Sequence, residues 1–148
     1  MLEYKIMEKE QFTVIGVSRK FNSETSYQKI PEFWQEHMNS DNRKTVCGMF
    51  GICIDSDGKE FEYLIADIYC PESEVPEGFE TRVIPAGTWA IFPCYGALPE
   101  SLQDVNTKIW SEWLPSCKTY KLAGNYNIEM YTEDSNYSEI WIPVEKAE

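Results

Sequence analysis

The chain has 148 residues, 43% of them apolar and 14% aromatic, which suits one compact globular domain and excludes a disordered one. Its formal net charge of −12 argues against direct binding of nucleic acid, because phosphate contacts need a face rich in Lys and Arg. No apolar run approaches the length of a membrane span, and the start, Met1-Leu2-Glu3-Tyr4-Lys5, lacks the pattern of a signal peptide, so the cytoplasm is the expected location.

Along the chain, Leu2 to Met7 and Phe12 to Val17 flank a polar stretch and predict a β-hairpin. Tyr27, Ile30, Trp34 and His37/Met38 fall at helical spacing, with Pro31 tolerable only near the first turn, so the regular helix is expected to begin close to Ile30. Met49 to Ile54 and Phe61 to Ile68 read as paired strands across the turn Asp55-Ser56-Asp57-Gly58. Pro71 to Gly78 reads as a connector. Strands follow around Phe79 to Ile84 and Thr88 to Cys94, joined by a tight turn at Pro85-Ala86-Gly87. Leu98, Leu102, Val105, Ile109 and Trp113 then mark an amphipathic helix that stops before Pro115. A looser stretch, Ser116 to Asn125, leads to two last strands around Tyr126 to Tyr131 and Glu139 to Val144.

Each half therefore reads strand, strand, helix, strand, strand. The halves share an internal ruler: Trp34-Gln35-Glu36 recurs as Trp110-Ser111-Glu112, and Phe61-Glu62-Tyr63 recurs as Tyr137-Ser138-Glu139, both offset by 76 positions. The expected organisation is one α+β domain over 1–148, an internal repeat of 1–75 and 76–148, with antiparallel sheets and two main helices around a ligand cleft on a pseudo-twofold axis.

Glu139 is the residue that breaks the pattern, because it takes the slot of Tyr63. Period-two alternation puts Tyr137, Glu139 and Trp141 on one face of the last strand and Ile140, Ile142 and Val144 on the other. The second face is plain core. The first places a carboxylate between two aromatics, an arrangement that attracts cations by charge and by cation–π contact together. Trp34, Trp89, Trp110, Tyr63 and Phe50 extend the aromatic set. Each of these rings taken singly is accounted for as core, and Glu139 as an edge-strand acid facing water; it is the set that suggests a binding surface.

Other chemistry is thinly supported. The five cysteines, Cys47, Cys53, Cys70, Cys94 and Cys117, are odd in number and form no Cys-x-x-Cys pair, so reduced thiols are expected. The single histidine, His37, reads as a charged or satisfied surface residue late in its helix. No metal-ligand spacing, nucleophile elbow or phosphate loop occurs, and neither a metal nor a cofactor is expected.

Several segments resemble the GyrI-like small-molecule-binding family, which includes the bacterial gyrase inhibitor and the effector-binding domains of AraC-type and MerR-type regulators. They are Val14-Ile15-Gly16-Val17, Ile30-Pro31-Glu32-Phe33-Trp34, Phe61-Glu62-Tyr63, Ile84-Pro85-Ala86-Gly87-Thr88-Trp89-Ala90 and Tyr137-Ser138-Glu139-Ile140-Trp141-Ile142-Pro143-Val144. The resemblance implies duplicated modules with Glu139 facing the cleft and Trp34, Tyr63, Trp89 and Trp110 as cleft aromatics. It implies a stand-alone binding domain for hydrophobic or cationic drug-like molecules, with a regulatory or resistance role. A regulator protein or gyrase would be its protein partner. It also implies an alternative, hydrolysis of a cyclopropane-bearing or other electrophile by Glu139 and Tyr63. A third reading is a gyrase-inhibitor-like interaction factor.

Overall fold

Alternating apolar positions set the strands, and the chain distributes them over two structural units, Gln11–Pro85 and Met1–Glu10 with Ala86–Glu148. The computed structural model describes residues 2–22, 24–55, 59–69, 74–98, 100–124, 126–132 and 136–147. In chain order its strands are β1 (Lys5–Lys9), β2 (Phe12–Asn22), β3 (Phe50–Asp55), β4 (Glu60–Ile68), β5 (Glu80–Ile84), β6 (Gly87–Tyr95), β7 (Tyr120–Leu122), β8 (Tyr126–Tyr131) and β9 (Tyr137–Lys146). The main helices are α1 (Ser26–Met38) and α2 (Glu100–Lys108). The fold is α+β with antiparallel pairing, as the sequence predicts. No helix among the described residues is long and apolar enough to cross a membrane.

In the unit Gln11–Pro85, β4 pairs with β3 on one side and with β2 on the other, and β2 pairs with β5. Ile15, Phe21, Tyr63 and Ile65 turn to one face of this sheet, where they pack with Phe33 of α1 and with Val46. Asp67 anchors the loop below the helix. Its carboxylate accepts the backbone N–H groups of Cys47, Gly48 and Met49 at 2.7, 2.9 and 2.8 Å. Gly48 has φ +93° and meets the Trp34 ring, which a Cβ would approach to 2.6 Å, so this position needs glycine on two counts. His37, expected at the surface, is buried and its Nε2 lies 2.7 Å from the Val46 carbonyl oxygen. The same loop that seats Trp34 covers this histidine.

In the other unit β9 is the axis. It pairs with β6 and β8 along its first part and with β7 at its end, and β6 pairs with β1. Ala90, Phe92, Cys94, Ile140, Ile142 and Val144 form one face and pack on Leu102 of α2 and on Ile109. That is the core face read from the sequence.

Several local readings need correction. β1 and β2 do not form a hairpin, and neither do β5 and β6: β1 pairs with β6, and β5 pairs with β2. The connectors Glu10-Gln11 and Pro85-Ala86 carry the chain from one unit to the other instead of turning it back. Helix α1 starts at Ser26, so Pro31 lies inside it. After α2 the helix does not stop before Pro115. It widens into a π-helical turn, Ile109–Trp113, and ends with Leu114–Ser116. The i→i+5 spacing makes room for a proline ring that would collide with a regular helix. The stretch 116–125 holds the short strand β7, whose pairing carries β9 past Val144 to Lys146. Residues 56–58 of the predicted turn and 71–73 of the predicted connector lie outside the described residues.

Gly16 sits where β2 and β4 come closest. A Cβ there would lie 2.2 Å from the Ile65 carbonyl oxygen, which is backbone and cannot swing aside. Gly16→Ala is expected to destabilise the protein by about 1–3 kcal/mol, the usual range for forced overpacking. Urea denaturation checks it, and an unchanged midpoint would contradict the close approach.

Candidate functional site

The face of β9 that turns away from α2 carries Tyr137, Glu139 and Trp141, as the period-two reading requires. Glu139 is 9% exposed, and both of its oxygens are engaged. The Tyr137 hydroxyl donates to Oε2 at 2.5 Å, and the Trp141 Nε1–H donates to Oε1 at 2.9 Å. Both donors lie two residues away on the same strand. The strand's own pleat thus builds the cradle, and these bonds offset part of the cost of burying a carboxylate. Burial, and secondly the hydrogen bond to Glu139, push the Tyr137 phenol well above its ordinary pKa.

Beside this cradle lies a pocket of about 150 Å³ whose lining includes Lys5, Ile91, Pro93, Tyr95, Tyr137 and Glu139. Pro93 stands opposite Glu139 in the β6–β9 ladder. Its missing N–H costs nothing there, because β1 pairs with β6 only from Gly87 to Ile91. Tyr95 and Tyr137 face each other with ring centroids 5.5 Å apart. Further along the same face, Trp89 packs edge-on against Trp141 at 6.2 Å and against Tyr126 at 5.7 Å. Trp89 is 1% exposed, and its Nε1–H has no partner among the described residues. The Lys9 ammonium stands 4.3 Å from the centroid of the Trp141 ring.

The remaining sequence-singled residues fall elsewhere. Trp34 and Tyr63 meet in the unit Gln11–Pro85, where the Trp34 Nε1–H donates to the Tyr63 hydroxyl at 2.9 Å. Phe50 is buried on the opposite face of that sheet, in register with Ala66 and 6.1 Å from the Phe12 ring. Trp110 is 43% exposed on the π-helical turn and donates to Asn106 Oδ1 at 3.1 Å. The slot equivalence of Tyr63 and Glu139 does not survive: Tyr63 faces its own helix, while Glu139 faces away from α2. A slip of one residue reverses a strand's face, and the offset of 76 also sets the inward Trp34 against the exposed Trp110, so it matches faces in neither the helices nor these strands.

Lys5, Lys9 and Tyr126 are the site residues that sequence reasoning missed. Lys5, Met7 and Lys9 alternate along β1 and pair with Ile91, Trp89 and Gly87. The alternation is visible in the sequence, but the partner strand is far away in the chain. Across the sheet from the site, Cys94 and Ser138 are paired and fully buried. No group of three or more His, Cys, Asp or Glu among the described residues is placed to hold a metal ion.

The model of the integron-associated effector binding proteins (Cass2) matches residues 5–144. The chain belongs to this family. No curated protein matches it. Among solved structures it is similar to SAV2435 bound to tetraphenylphosphonium, with TM-score 0.87 at 18% identity, covering 97% of this chain and 94% of that one. A putative bacterial transcription regulation protein from Staphylococcus aureus follows, with TM-score 0.78, 20% identity and coverage of 98% and 99%. The Vibrio cholerae integron cassette protein VCH_CASS2 gives TM-score 0.75, 21% identity and coverage of 96% and 95%. The family and these folds fit the GyrI-like effector-binding superfamily that the sequence motifs resemble.

The site's electrostatics set an alkaline limit on stability. Burial raises the Cys94 thiol from 9.0 to about 11, and the Tyr137 phenol also stays protonated past its ordinary 10.0. Above pH 9 the unfolded chain therefore releases protons that the folded chain keeps. The stabilisation is complete below that pH and declines as pH rises through about 11. Denaturation midpoints should fall between pH 9 and 11, and the part of the fall above pH 10 should shrink in Tyr137→Phe. Level midpoints across that range would contradict the burial of both groups.

Proposed function

We propose that this effector binding protein takes up lipophilic organic cations, with Glu139 as the counter-charge and the rings of its sheet face as the apolar surface. The observation that carries the reading is the buried Glu139 carboxylate, held at both oxygens by aromatic donors and bordering a pocket. A carboxylate in that position is costly unless a positive charge repays its desolvation, and aromatic faces attract the same charge. The net charge of −12 draws cations towards the protein from a distance. The fold's likeness to SAV2435, a protein solved with tetraphenylphosphonium, supports the same ligand class.

The pocket volume of about 150 Å³ is below the size that encloses a whole drug-like molecule. It suits one cationic group or one aryl arm, and the rest of the ligand extends over the exposed Tyr95 ring and towards the Trp141 ring, which Trp89 backs from inside the fold. Sequestering or sensing such compounds is the role that follows.

Titration calorimetry with tetraphenylphosphonium and with neutral triphenylphosphine oxide tests this. Glu139→Gln keeps the side-chain shape and removes the charge, so it should weaken the cation by more than about 1 kcal/mol and leave the neutral compound unchanged. Equal affinity for the cation in parent and variant would refute the role given to Glu139.

A further inference from the structure

We infer that Lys9 is a tethered cation that occupies the ligand's seat on Trp141 in the free protein, and that organic cations bind by displacing it. The inference rests on the reading of Glu139 as a cation site and names how that site is gated. The Lys9 ammonium lies 4.3 Å from the Trp141 ring centroid, well inside the range of cation–π attraction. The edge of that ring donates its N–H to Glu139 Oε1. A carboxylate at the indole N–H pushes electron density onto the ring faces, so Glu139 strengthens the seat for any cation above the ring. The chain's own ammonium is the cation found there.

Three features suit Lys9 to leave. It is carried by β1, which ends the sheet of its unit and, among the described residues, pairs with β6 alone. Among the described residues no carboxylate forms an ion pair with it. Its four-carbon stem lets the ammonium swing into water, where it is strongly hydrated, without moving the strand. Lys9 thus shields the Trp141 face and the acid behind it while no ligand is bound, and it sets a threshold: a cation must outbid an ammonium that is already in place. Neutral aromatic compounds lose the ring face to Lys9 and gain nothing from Glu139, so the same residue raises selectivity for charge.

Titration of tetraphenylphosphonium into the parent, Lys9→Met and Lys9→Arg proteins tests this. Lys9→Met should bind about two- to fivefold tighter than the parent, the worth of one partly exposed cation–π contact. Lys9→Arg keeps a cation on the ring and should not exceed the parent. In the parent protein the Lys9 ε-methylene protons should resonate upfield under the indole ring current. They should move to the position of an exposed lysine as ligand saturates the site. This NMR measurement needs no variant to fold. An affinity in Lys9→Met equal to or below the parent's, or ε-methylene protons that stay upfield at saturation, overturns the displacement while leaving Glu139 as the counter-charge. Loss of cation binding in Glu139→Gln together with that result separates the two ideas. Absence of cation binding in every protein removes both.

Discussion

The carboxylate of Glu139 is the constraint from which the rest of this site follows. A buried acid must be solvated by something, and here the strand itself supplies the donors, a phenol on one side and an indole on the other. Those donors must be aromatic in reach and polar at the tip, which is why the flanking positions are Tyr137 and Trp141 and not aliphatic residues. They also must share a face with the acid, which requires an unbroken period of two along β9. The opposite face of the same strand is then left to the core, where Ile140, Ile142 and Val144 pack on Leu102 and Ile109 and Ser138 is buried beside Cys94. One polar requirement thus dictates the pattern of ten residues and fixes which side of the sheet the helix covers.

Much of this was legible because it is local. Alternation along β9 shows both faces, and the apolar spacing of Leu98, Leu102, Val105 and Ile109 shows α2. What could not be read is which strand lies beside which. The connectors Glu10-Gln11 and Pro85-Ala86 are short and polar or proline-bearing, the usual marks of a turn, yet each hands the chain to the other unit. Pairing of β1 with β6 is a contact between segments far apart in sequence, and no propensity encodes it. Two of the missed residues, Lys5 and Lys9, follow from that gap, while Tyr126 meets Trp89 from β8. Lys5 and Lys9 look like ordinary charges on a solvated strand until β6 is placed beside them. β7 was missed for a different reason: three residues are too few to show a period.

The repeat misled in an instructive way. Matching Trp34 to Trp110 overlays the helical spans but not their faces, since Trp34 bonds to Tyr63 and Trp110 is exposed, and matching Tyr63 to Glu139 follows the same offset. A helix tolerates a slip of one residue as a rotation of its stripe, but a strand does not: every side chain changes face. Tyr63 therefore lies beneath its helix, bonded to Trp34 and packed with Phe33, while Glu139 lies on the face its helix leaves open.

In the proposed reading, the hydrogen bonds that hold Glu139 also shape what it recognises. Each oxygen has accepted one donor and keeps a second acceptor site, so a ligand N–H can still bond there but is not needed for the charge to act. Beside that bond, the same reading offers net charge, which has no direction, the exposed ring of Tyr95, and the Trp141 ring face on which Lys9 rests. A site that relied on free lone pairs would reward protonated amines and reject quaternary ions, because unpaired donors or acceptors are costly when buried. The proposed site, with its acid already positioned by two internal donors, would accept both and favour charge and apolar area over donor geometry. Under the proposed reading, breadth of recognition would come from a rigid arrangement, because the bonds that position the acid lie within the protein.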